Sequence, residues 1–358
     1  MMKLIKTLVV AVCLMSPAVG VHAAHSLQKQ TPTQAAAKEN EISILFIGNS
    51  FTFRHNLPML VKKVFEEGNP GMTVKLESVL GGGKTMFEFS NYGFAQTTLE
   101  QATIPPEIIS GRIKTMEGYL KSNEAPDKEA WTRFVKTRTY AEPRQTPPFS
   151  KLHGFIGNNI ERHKTLLESV KAGDITKWDY VVLQSWQDVH PSLDEGYAKN
   201  VMTFADIAAK QGTKVILYIT APRVMNHESV EGPLDQESVD REMTLVHKLA
   251  KEIKACAVVP VPLAINMIQK NGTDLKFRYV NDAHPNQYCA FLTSNMFYAA
   301  VFKKSTEGFK YNSVRDTKVI DGKDRDGGNP AVVFDDKTKI YLQKMAFDAV
   351  MAFDKSTK

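Results

Sequence analysis

The chain has 358 residues, 43% of them hydrophobic, which is enough for one large α/β domain with insertions or a domain with a small accessory one. Lys and Arg outnumber Asp and Glu by 45 to 39, a mild excess of +6 spread without a basic stripe, so nucleic-acid binding is not expected. Three cysteines and no Cys/His array argue against a zinc framework, and no metal or cofactor is expected.

Met1 to Ala23 read as a secretory signal, with Lys3 and Lys6 at its basic start, an apolar stretch from Leu8 to Met15, and the small-x-small site Val21-His22-Ala23. The apolar stretch is too short to cross a bilayer, and no later one is long enough, so no stable membrane span is expected. Cleavage would place the mature protein in the periplasm or outside the cell. It would carry a net charge of +4 and two cysteines, Cys256 and Cys289. These could form one disulfide or lie buried as thiols, and burial is the expectation. Residues 24–40 are polar and form a flexible lead-in.

The domain is expected over 41–302. Ile42 to Ile47 form an apolar, β-branched run suited to a strand buried on both faces. It stops at Gly48-Asn49-Ser50, where Gly48 is read as letting the backbone bend, and an amphipathic helix follows from Asn56 to Glu67. A second strand, Thr73 to Val79, leads into Gly81-Gly82-Gly83-Lys84-Thr85. A phosphate loop would need a further Gly where Ser78 stands, so the run reads as a loop presenting backbone N–H groups to an anion.

Residues from about 88 to 150 break the βαβ rhythm with repeated prolines. They read as a long insertion over the active face, with short helices near Thr98 and Tyr119. Trp131, Phe134, Tyr140 and Arg144 could shape substrate access there or form a private core. A helix near Ile156 to Ala172, the strand Tyr180 to Leu183 and Gln184-Ser185-Trp186-Gln187-Asp188 come next. Three further helices (Tyr197–Gln211, Glu237–Ala255, Leu263–Lys270) alternate with strands at 214–219 and 257–261. Asn281-Asp282-Ala283-His284-Pro285-Asn286 then precedes an apolar helix, Tyr288 to Phe302. Five strands alternating with helices predict a three-layer α/β/α doubly wound, mostly parallel sheet. Residues 303–358 form a tail with a final helix, Lys337 to Phe353, packing back on the domain.

In such sheets ligands sit at the carboxyl ends of the strands, where Ser50 falls. A Ser there often does no more than cap the next helix. A His that takes a proton from a nucleophile needs an acceptor on its other ring nitrogen, and Asp282 lies two residues before His284. His190 has a poorer setting than His284.

With these two blocks the sequence resembles the SGNH/GDSL hydrolase superfamily, within it the members whose first block reads Gly-Asn-Ser-Phe-Thr. The resemblance implies a flavodoxin-like fold with Ser50 as nucleophile and His284 as base. It also implies an oxyanion hole using the Ser50 N–H and Gly83, with Gly82 as the alternative. The third block lacks the usual Asn. Gln184 offers the same donor chemistry, with Gln187 as the alternative. The usual acid position holds Asn281, and Asp282 one residue closer is the expected acid. The implied activity is hydrolysis of short-chain carboxylic esters by a secreted serine esterase, with O-acetyl groups on carbohydrate as the leading substrate class. The alternative is a secreted carbohydrate-binding protein on the same fold whose catalysis has lapsed.

Overall fold

A computed structural model describes residues 40–138, 148–185, 192–220, 236–280, 282 and 284–356. The signal and almost all of the lead-in lie outside the described residues, as do Tyr140, Arg144, Gln187, His190, residues 221–235 and Asn281.

Five strands form one parallel sheet in the order β2-β1-β3-β4-β5: β1 (Glu41–Gly48), β2 (Thr73–Leu80), β3 (Tyr180–Gln184), β4 (Lys214–Ile219) and β5 (Ala257–Pro260). This is the flavodoxin-like doubly wound order. Glu41 to Gly48 of β1 pair in register with Thr73 to Leu80, and Ile44 to Ile47 pair on the other edge with Tyr180 to Leu183. Both neighbours of β1 are therefore strands, and its residues 44–47 are buried. That is why the run is apolar throughout rather than alternating.

Helices flank the sheet. After α1 (Ser50–Phe53) comes α2 (Leu57–Gly68), which packs on α11 (Gln287–Phe302). Phe297 of α11 meets Phe46 of β1 and Tyr218 of β4, with ring centroids 5.8 and 5.4 Å apart. Thirteen of the sixteen α11 residues are buried, as suits a helix apolar on all faces. α12 (Asp336–Ser356) packs on α11 and on α10 (Val261–Lys270). The tail thus returns to the domain, adding a two-stranded antiparallel ribbon of β6 (Ser313–Arg315) and β7 (Ala331–Val333). α9 (Gln236–Glu252) precedes β5, and α8 (Gly196–Gln211) packs with the first helices of the insertion.

The insertion has its two expected helices, near Thr98 and near Tyr119, and is more helical than expected. It is helical: α3 (Met86–Tyr92), α4 (Ala95–Glu100), α5 (Pro106–Tyr119) and α6 (Lys128–Arg138) lead into α7 (His153–Ala172). Pro106 stands at the start of α5, where the missing N–H costs nothing, so this proline opens a helix instead of marking a loop. Trp131 and Phe134 join Tyr92, Ile109, Phe149 and Ile156 in a second hydrophobic core. They are the private core, the second of their two expected roles. Both cysteines are free and Cys289 is buried, as expected, whereas Cys256, just before β5, is exposed.

Candidate active site

The order of the sheet reverses between β1 and β3, and at such a switch point the loops leaving adjacent strands part to open a crevice. Ser50 leaves β1 there and Gln184 ends β3. Gly48 is needed for closeness rather than for bending. A Cβ on it would stand 2.4 Å from Gln184 Oε1 and 2.5 Å from Thr52 Oγ1. Asn49 caps α1, its Oδ1 accepting from Phe51 N–H at 3.0 Å. Ser50 opens that one-turn helix, 8% exposed. Among the described residues its backbone N–H has no acceptor.

His284 arrives from the far end of the chain on a closed turn. Tyr279 N–H donates to His284 O at 3.2 Å, Arg278 bridges to Pro285, and Asn286 caps α11 through Cys289 N–H. His284 Nε2 lies 2.8 Å from Ser50 Oγ, and its Nδ1 makes a short contact with Asp282 Oδ1. A carboxylate can only accept, so Nδ1 carries the hydrogen and Nε2 is left to accept from the Ser50 hydroxyl. The Phe51 ring stacks on the imidazole at 5.0 Å. Burial alone would raise the Asp282 pKa. Its hydrogen bond and charge interaction with His284, then those with Arg54, hold it well below the usual carboxylate range.

The structure therefore brings Ser50, His284 and Asp282 into one hydrogen-bonded chain. The Gly81–Lys84 turn lies beside them, tied by Gly81 N–H to Gly48 O at 3.1 Å and by Asn49 Nδ2 to Lys84 O at 2.9 Å. Gly83 needs to be glycine, with φ at +65°, whereas a Cβ on Gly82 would meet open space.

Gln184 does not stand as an oxyanion donor. Its Oε1 accepts from Asn49 N–H at 2.8 Å and from the Thr52 hydroxyl. Its Nε2 donates to Asn49 Oδ1 and to Ser185 O, both at 2.8 Å. The backbone N–H and C=O partners fix the amide orientation, and both of its hydrogens are engaged. Gln184, 2% exposed, braces the turn from Asn49 to Thr52.

Four residues at the site had no forecast. Arg54 donates to Asp282 Oδ2 at 3.1 Å and to Asp316 Oδ2 at 2.9 Å. Arg325 Nε comes within 3.1 Å of the same Asp282 oxygen, and Tyr279 donates its hydroxyl to Asp316 at 2.7 Å. Arg54 could have been suspected, as a cation between the apolar Phe51 and Phe53 and the start of an amphipathic helix. Asp316 and Arg325 carry no local signal.

No family model matches the chain, and no curated protein matches it. Among solved structures, a DUF4886 family protein from Bacteroides uniformis is similar with a TM-score of 0.43 and 13% identity, over 87% of this chain and 95% of that one. A protein from Slackia heliotrinireducens, provisionally described as an SGNH hydrolase, is similar with a TM-score of 0.35 and 14% identity, over 71% of this chain and 96% of that one. The fold assignment rests on the strand order itself.

Proposed function

We propose that the protein is a serine hydrolase of short-chain carboxylic esters. The observation that carries this reading is the chain Ser50 Oγ, His284 Nε2, His284 Nδ1, Asp282 Oδ1 at a strand-end switch point. Ser50 Oγ attacks the ester carbonyl as His284 Nε2 takes its proton, and ionised Asp282 steadies the imidazolium. The oxyanion is received by Ser50 N–H and, in this proposal, by the Gly83 backbone on its tethered turn. His284 then returns the proton to the departing alcohol. A water activated by the same nitrogen releases the acid from the acyl-Ser50 intermediate.

The substrate class we favour is the O-acetyl group on carbohydrate outside the cytoplasm, which rests on the signal-like residues 1–23 and the resemblance of the sequence blocks. The lapsed-enzyme reading leaned on Asn281 in the acid position and on the altered third block, where Gln184 stands. The contact of Asp282 with His284 favours catalysis instead.

The test is hydrolysis of p-nitrophenyl acetate by wild type and by Ser50→Ala, His284→Ala and Asp282→Ala. Losses of roughly 10³-fold or more are expected for Ser50→Ala and His284→Ala. Equal turnover by wild type and Ser50→Ala would end the serine mechanism.

A further inference from the structure

The turn after the nucleophile helix is built at a cost. His55 and Asn56 both hold left-handed backbone, with φ of 57° and 53°. Arg54 beside them is only 1% exposed, a charge taken out of water. What these residues gain lies in the loop that bears His284. Arg54 Nη1 grips Asp282, and His55 Nε2–H donates to the Pro285 carbonyl at 2.8 Å. The segment holding Ser50 thereby holds both sides of His284 as well.

Arg54 is itself held from a third place. Its Nη2 donates to Asp316, which also accepts from the Tyr279 hydroxyl and, at 2.9 Å, from Lys318 N–H. The guanidinium lies over the Tyr279 ring at 5.2 Å. A planar fork can span two carboxylates in fixed directions, which a single ammonium cannot do. Asp282 is divided accordingly: Oδ1 serves His284, and Oδ2 faces Arg54 and Arg325.

We infer that Arg54 is a positioning residue of the active site. By bridging Asp282 to Asp316 it fixes the carboxylate that orients His284, and it makes the segment around β6 and β7 part of the site. The inference rests on the serine-hydrolase reading for its kinetic consequence, though not for its geometry. The guanidinium also offsets part of the Asp282 field at His284. Its removal should raise the proton affinity of the imidazole and move the acid limb of the rate profile to higher pH.

The experiment compares wild type with Arg54→Lys, Arg54→Gln and the double variant Arg54→Gln/Asp316→Asn, each checked for folding by near-ultraviolet circular dichroism. The double variant matters because Arg54→Gln alone strands Asp316 as a buried charge. Arg54→Lys keeps the charge and serves if the glutamine variants do not fold. For the glutamine variants, kcat on p-nitrophenyl acetate should fall about 10- to 100-fold with KM nearly unchanged, and the acid limb should move upward. For Arg54→Lys, kcat should fall with the limb near its wild-type position. Folded variants with wild-type kcat and acid limb would overturn the inference.

The His284 ring titration, followed by NMR in the same proteins, requires no turnover. If wild type and Ser50→Ala are equally inert towards esters, the functional reading fails. The titration then decides Arg54 alone: an upward midpoint in the glutamine variants supports its role, and an unchanged one overturns it.

Discussion

At position 184 the side-chain amide has two hydrogens, and Asn49 Oδ1 and Ser185 O take both. Gln184→Glu tests what the amide is for. A carboxylate still accepts from Asn49 N–H and the Thr52 hydroxyl, yet it can donate nothing to the two oxygens that face it. As a brace, the variant should lose about 1–3 kcal/mol of stability in urea unfolding together with activity. A fall in kcat at unchanged stability would return Gln184 to the oxyanion hole. The meeting of Ser50, His284 and Asp282 was legible because nucleophile chemistry, the chemistry proposed for them, calls for particular atoms beside turn-forming residues. The work of Gln184 was not, because a resemblance supplies a donor type but not the partners that claim its hydrogens. Gly48 was misjudged in a similar way, as a flexible point, when the constraint is an oxygen from a strand 136 positions along the sequence.

Among the elements, those of the sheet could be read from periodicity. β4 occupies the expected 214–219, since a buried parallel strand announces itself through consecutive apolar residues. The insertion could be read only in part, in its helices near Thr98 and Tyr119, because proline serves equally at a loop and at a helix start. Its helices are joined by a buried polar link with a measurable consequence. His163 Nδ1–H donates to Asn159 O at 2.8 Å, so Nε2 accepts from the Thr97 hydroxyl at 2.9 Å, while Arg112 donates to the same hydroxyl oxygen. Burial pushes the His163 pKa below its ordinary 6.5. The folded state thus resists a proton that the unfolded chain accepts. This contribution is neutral above about pH 6.5, and stability falls as pH drops below that value. His55 is depressed by burial in the same sense. The urea midpoint should therefore decline between pH 7 and 5, and His163→Gln should flatten part of that slope. An identical slope in the variant would remove His163 from the account.

For the whole molecule, residues 303–356 belong to the fold and to the candidate site. α12 covers α11, whose buried residues run around the helix, and Asp316 and Arg325 reach the Asp282 network. A chain truncated after Phe302 should lose cooperative unfolding and enter the insoluble fraction. A soluble, cooperatively unfolding fragment would show the tail to be accessory. Nothing at Asp316 itself could have indicated this, because its meaning lies in a guanidinium 262 positions earlier. That separation sets an order of events during synthesis. The ribosome releases Ser50 early and His284 much later, and Asp316, the anchor for Arg54, later still. A growing chain therefore carries Ser50 and His284 before it can hold them in register, and their arrangement is complete only once Asp316 has followed.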